Sequence, residues 1–453
     1  MFSDPWALTG GHVDRNDLPG WVDTAAIDLL ESELPAVGSW ISLDQSNSVT
    51  LGLAGGTQFW MKCLQVSDTD FTCPVPIGLV LRLDYISRLL EREGDVPLVH
   101  IVDGDFYGDY PDFIKAKREQ MPRPEPLASL ISNSLLGQAF WQRLEEIDAD
   151  DRNHVALLDR QIVIERIRHA ILYCAFHEAA HAIREHTLVI SEAPDKELAR
   201  RGAELDADMR AGIWLTYYLI MDPLNRREPE SPELVNDVMF NMTYSIAVAL
   251  GTFDVARLAV CNFESGEYQQ PTARLTMAVQ GMIEVLTSYV ADHNEIKRIV
   301  ERSSEGASQY IARMNSFWMR SMKTTRRPTS IYFPLAVPRS KVNSVPFLSA
   351  FYAMDPDIPT VEKLQRDAST EHRVFEKLRQ RVLLGRLIDE YQLPVTVVDT
   401  QSPSEIFDQL SSYFSQHPTE LEELEQRANA QPSKISRAFM RELLKELRET
   451  VNN

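Results

Sequence analysis

Apolar and polar positions divide this chain into a mixed N-terminal part and a long helical remainder. Ile162 to Phe176 reads IVIERIRHAILYCAF, an extended apolar stretch that predicts a helix lying beside a core. Pro194 marks the start of a second helix, because proline suits a first helical turn and the following Asp195 and Glu197 complement the helix dipole there. That helix is expected to run through Glu204 and Asp208 to Ile220, ahead of Pro223. Asn225 to Pro232 reads as a charged, proline-bearing loop. Helical spacing then recurs in Glu233 to Phe263 and Thr272 to Tyr289, with Ile246, Leu250, Leu275 and Met282 among the apolar positions.

Upstream, Ser39 to Leu64 carries short apolar and β-branched runs broken by Asn47 and by Gly55-Gly56, which predicts strands joined by turns. Asp84 to Glu93 predicts a helix and Leu98 to Val102 a further short strand. The Tyr- and Asp-rich piece Asp103 to Asp112 and the prolines Pro122, Pro124 and Pro126 read as a loop or linker. Asp148, Asp150 and Asp151 lack the glycine and terminal glutamate of a calcium loop and read as solvated. A proline-rich, locally basic piece, Lys323 to Pro346, marks the boundary to a last region. There a helix is predicted over Val361 to Tyr391, a short strand over Val395 to Val398 and a charged helix around Leu421 to Val451. The expected fold is α+β, predominantly α. It comprises an N-terminal α+β region over residues 1–125, a helical core over 126–322 and a mostly helical C-terminal region over 323–453.

Composition narrows the function classes. The 453 residues are enough for two or three domains, and a formal net charge of −20 argues against a nucleic-acid binder, whose affinity rests on clustered Lys and Arg. Cys63, Cys73, Cys174 and Cys261 show no CxxC spacing, so structural cysteine zinc is not expected and a reducing, cytoplasmic setting fits best. The start MFSDPWALTG lacks the marks of a secretory signal, and no apolar run reaches 18 residues, so no membrane span is expected.

The apolar helix ends in FHEAAHAIREH, Phe176 to His186. Histidines four residues apart project from nearly the same side of a helix, so His177 and His181 can share one metal ion. Glu178 then faces the same pocket without ligating, which suits a general base acting on water activated by the metal. Twenty-three residues after His181, Glu204 opens the run ELDAD, with Asp208 one turn later. From a neighbouring helix, Glu204 can complete a His, His, Glu site with one position left open, and Asp208 can accept the free N–H of a ligand histidine. His186, one turn beyond the site, reads as exposed.

HEAAH at 177–181 followed by ELDAD at 204–208 resembles the gluzincin metallopeptidases, in which HExxH precedes a helix carrying ExxxD. Among smaller groups the pattern looks most like Lit-like phage-exclusion and ImmA/IrrE-like intracellular bacterial peptidases. The resemblance covers about 50 residues. It implies a zincin-like helical catalytic core in which His177, His181 and Glu204 hold one zinc ion per chain. Glu178 would be the catalytic base and Asp208 the partner of His177. Glu264 to Arg274 resembles the HPxxxR stretch of some gluzincins, although Gln270 replaces the histidine. Tyr268, Arg274 and His293 are therefore candidates for stabilising an oxyanion.

The expected activity is hydrolysis of peptide bonds in an intracellular protein or peptide substrate, with no nucleic-acid or membrane partner. An alternative keeps the zinc and the fold but not the chemistry, as a catalytically inactive sensor or interaction scaffold. A second alternative gives the histidines structural hydrogen bonds alone. A di-iron bundle is disfavoured because it requires two Glu-x-x-His units.

Overall fold

The computed structural model describes residues 24–42, 47–56, 61–67, 69–92, 160–221, 238–250, 271–289, 361–398, 401–430 and 437–452, with single positions 6, 11, 13, 294 and 298. The architecture is α+β with helix predominant: a small sheet precedes the core helices, and further helices follow them. Helix α1 (Thr24–Ser42) is followed by β1 (Ser48–Ala54), β2 (Leu64–Gln65), β3 (Asp70–Pro76) and α2 (Ile77–Arg92). The sheet order is β1-β3-β2, with β1 parallel and β2 antiparallel to the central β3. Register pairs Leu51 with Cys73 and Leu64 with Thr72, which leaves the two-residue β2 at one edge.

Helix α3 (Arg160–Ile183) is the centre of the fold. From Ala170 to His177 every residue is buried, so this middle part of the helix has no solvent face and must be covered on all sides, whereas Gln161 and Ile162 near its start are exposed. The covering elements are α1, α2 and β3 on one side and α5 (Lys196–Thr216) on the other. Polar ties fix α3 against its neighbours. Arg168 grips the buried Glu33 of α1 with two bonds of 2.7 and 2.6 Å, and Arg166 lies over the Tyr244 ring of helix α6 (residues 238–250) at 4.2 Å.

After α3, Arg184 and Glu185 form a turn into the short helix α4 (His186–Glu192). Asp195 caps α5 by accepting from the Leu198 amide at 3.0 Å, and a π-helical turn over Tyr217–Met221 extends its end. Helix α7 (Pro271–Tyr289) packs closely on α5 because glycine removes the intervening side chains. A Cβ at Gly212 would stand 2.0 Å from the Ala278 carbonyl oxygen, and one at Gly281 would stand 2.2 Å from the Met209 carbonyl oxygen. Helix α8 (Val361–Tyr391) crosses α5 and α7, with Phe375 seated against Gly202. The end of α8 joins α9 (Pro403–Gln416), α10 (Pro418–Ala430) and α11 (Arg437–Asn452) around a separate core that includes Leu387, Leu410, Phe414 and Leu447. No helix among the described residues is long and apolar enough to cross a membrane.

Several local expectations are corrected. Ser39–Ser42 is the last turn of α1 rather than strand, because Leu30, Leu34, Val37 and Ile41 put one buried stripe along that helix. Val395–Val398 is not a strand; Val395 and Val397 pack their side chains on the C-terminal core instead. The charged stretch 421–451 is shared between α10 and α11, each presenting its own apolar face to that core. Leu98–Val102, Asp103–Asp112, the prolines at 122, 124 and 126, Asp148–Asp151, Asn225–Pro232 and Lys323–Pro346 lie outside the described residues.

The Gly212 contact makes a test whose sign decides. In an open helix Gly→Ala stabilises by about 1 kcal/mol. Against a fixed carbonyl it should destabilise by about 1–3 kcal/mol. Gly212→Ala is therefore expected to lower the urea midpoint, and a raised midpoint would show that α5 and α7 do not meet this closely.

Candidate metal centre

Helices α3 and α5 place the chemistry between them. His177 and His181, one turn apart on α3, turn their Nε2 atoms to a common point, 3.1 Å from one another. Glu204 enters from α5, with Oε2 3.4 Å from His177 Nε2 and Oε1 3.5 Å from His181 Nε2. Ligand atoms about 2.0–2.1 Å from a tetrahedral ion stand about 3.3 Å apart. The three side chains thus stand close to the spacing that one zinc ion would require and offer a donor set that suits it, with a terminal nitrogen of Arg274 3.4 Å from His177 Nε2 on the same side.

The other nitrogen of each imidazole faces away from that point. Asp208, wholly buried, brings Oδ1 within 2.9 Å of His177 Nδ1, close in distance although off the axis of a well-formed hydrogen bond. Asp208 is itself fixed by Tyr173, whose hydroxyl donates to Oδ1 at 2.5 Å, and by Arg274, which donates from Nε to Oδ2 at 2.7 Å and from a terminal nitrogen to Oδ1 at 2.9 Å. Arg274 also reaches Glu204 at 3.3 Å. The close α5–α7 packing delivers this guanidinium to the carboxylates on α5.

Glu178 sits beside the pair, and the backbone N–H of Cys63, next to edge strand β2, donates to its Oε2 at 3.3 Å. Burial raises the Glu178 carboxyl to about 7, against the lowering effect of His177. Burial lowers His181 to about 3. His177 feels the same desolvation, but the Asp208 and Glu204 carboxylates overcome it and raise that imidazole to about 10. Glu204 is held well below the usual carboxylate range, since Arg274 and the histidines outweigh its burial. Two of these carboxylates, Asp208 and Glu204, share one permanent cation, Arg274.

Five of the residues read from sequence, His177, His181, Glu178, Glu204 and Asp208, meet at this point, and Arg274 joins them. Tyr268 and His293 lie outside the described residues. His186 is corrected: it is 1% exposed rather than a surface residue. Glu185 is the reason. Its left-handed backbone, φ 59° and ψ 34°, breaks the helix and folds the His186 ring back beneath His181. Tyr173 was missed although the sequence carries its signal, since it precedes His177 by four residues and shares its face.

A second group of ligand-type side chains, Asp206, His372 and Glu376, gathers on another face of α5. Arg184 already occupies its centre, donating to Glu376 at 2.5 Å and ion-paired with Asp206, so a cation is supplied by the chain itself. These three residues line a cavity of about 680 Å³ between α5 and helices α8, α9 and α11. None of His177, Glu178, His181 or Glu204 lines it.

No family model matches this chain, and neither a curated protein nor a solved structure matches it.

Tyr173→Phe preserves the ring and removes one donor from a buried carboxylate. It should cost about 1.5–3 kcal/mol, the range for a hydrogen bond to a charged group. Urea denaturation measures this, and a loss under about 0.5 kcal/mol would show that the hydroxyl does not support Asp208.

Proposed function

We propose that this chain is a zinc-dependent metallopeptidase of gluzincin type, hydrolysing peptide bonds of a cytoplasmic protein substrate. The observation that carries this reading is the convergence of His177 Nε2, His181 Nε2 and the Glu204 carboxylate, 3.1–3.5 Å apart, with Glu178 alongside. Two imidazoles and one carboxylate are the ligand set of a catalytic rather than a structural zinc, because three protein ligands leave a position open.

A bound zinc ion would supply Lewis acidity, acidifying a water molecule and polarising the scissile carbonyl. The chain's own residues do the rest. Glu178 accepts the proton of the attacking water at its carboxylate and delivers it to the leaving amine. Asp208, braced by Tyr173 and Arg274, holds the orientation of His177. Arg274 is committed to Asp208 and Glu204, so its part is to fix those carboxylates rather than to receive the oxyanion. The Cys63 amide fixes Glu178 where the chain enters edge strand β2. An extended peptide adding to that edge through main-chain hydrogen bonds would pass beside Glu178, which makes backbone rather than side chains the first element recognised.

Zinc analysis combined with cleavage of a proteome-derived peptide library tests the proposal. The wild type should carry one zinc per chain and generate new peptide termini, while Glu178→Gln should keep its zinc and lose cleavage by about 100-fold or more. Zinc retained with no cleavage by either protein would favour the sensor or scaffold reading. Equal cleavage by both would remove Glu178 from the mechanism.

A further inference from the structure

The metal-facing His181 is the first member of a chain of contacts that leads away from the site. Its Nδ1 lies 2.9 Å from Nδ1 of His186. His186 Nε2 lies 2.8 Å from Asp206 Oδ2, and Asp206 Oδ1 lies 3.0 Å from Nε2 of His372 on helix α8. Proton placement along this line has a single consistent solution when His181 Nε2 faces a cation. That nitrogen then offers its lone pair, so the neutral ring carries its hydrogen on Nδ1 and donates to His186 Nδ1. His186, accepting there, carries its own hydrogen on Nε2 and donates to Asp206. The Asp206 carboxylate accepts from His186 and, at its other oxygen, from His372.

We propose that His186, anchored by Asp206, is a positioning residue that aims His181 at the metal and ties the metal centre to helix α8 through His372. The inference rests on the metal-binding reading of His177, His181 and Glu204. Two further features are accounted for by it. Glu185 adopts a left-handed backbone, which is unfavourable for a non-glycine residue, and the turn it makes is what brings His186 beneath His181. The His186 ring is also locked edge-on against Phe375 of α8, with centroids 5.3 Å apart, so its angle is set by packing as well as by Asp206. Without His186, the Nδ1–H of His181 would lose its acceptor in a buried setting. The ring would be free to turn its other nitrogen from the shared point. Asp208 gives His177 a carboxylate directly; His181 receives one through an intervening imidazole.

Zinc titration of the full-length, metal-stripped protein against a chromophoric chelator tests this, together with the visible absorption of the cobalt(II) form. His186→Phe keeps a ring against Phe375 and removes both nitrogens, whereas His186→Asn retains an acceptor near the Nδ1 position. His186→Phe should weaken zinc binding about 10–100-fold and alter the cobalt spectrum, and His186→Asn should recover most of the affinity. His186→Leu, equally unable to accept, replaces the aromatic variant should that one not fold. A residue of purely structural value would lower the unfolding temperature of the metal-free protein and leave the zinc affinity of its folded form unchanged, which would overturn the proposal. Wild-type protein that takes up no zinc would instead overturn the metal site itself, so the two failures are distinguishable.

Discussion

Holding the carboxylates of Asp208, fully buried, and Glu204, half-buried, against helix α3 is the constraint on which the rest of the structure depends. An ionised carboxylate removed from water loses several kcal/mol of solvation unless charge and hydrogen bonds replace it. Here the replacements come from different parts of the chain: His177 and Tyr173 from α3 itself, and Arg274 from α7. The glycines that let α7 approach α5, and the apolar covering that holds α3 in place, are conditions for this balance. A site built in this way is part of the core rather than an addition to its surface.

Helix α5 works through two faces. Glu204 and Asp208, four residues apart, point to the shared centre, while Asp206 between them points to Arg184, His186 and His372. The second face carries a compact ion network closed by Glu376 and by Arg379, whose Nε donates to the Arg184 carbonyl at 3.1 Å. Because this network reaches α8, the orientation of that helix is coupled to the ring of His186, and so to the neighbourhood of His181.

The site was largely legible because its residues are local in sequence and helical periodicity says which side chains share a face. His177 with His181, and Glu204 with Asp208, follow from 3.6 residues per turn once their stretches are read as helices. Arg274 was reachable through its resemblance to a remote pattern, not through spacing. His186 was not legible, since on a continuous helix it would project well away from His181, and nothing in a glutamate at 185 announces a left-handed turn. His372 lies 166 residues from Asp206, and no local pattern joins them. At the level of fold, the predominance of helix and the upstream sheet were readable. Helix α1 was missed because its apolar stripe merges into the strand-like composition that follows it. Helix α9 was missed although Ser402 and Glu405 form a reciprocal capping box at its start.

X-ray absorption at the zinc edge of the purified, zinc-loaded protein tests the central claim most directly. Two imidazole nitrogens and light oxygen scatterers in a four-coordinate shell at about 2.0–2.1 Å are the result expected from His177, His181 and Glu204. A shell containing sulfur at about 2.3 Å would place the ion on a cysteine instead and contradict the account.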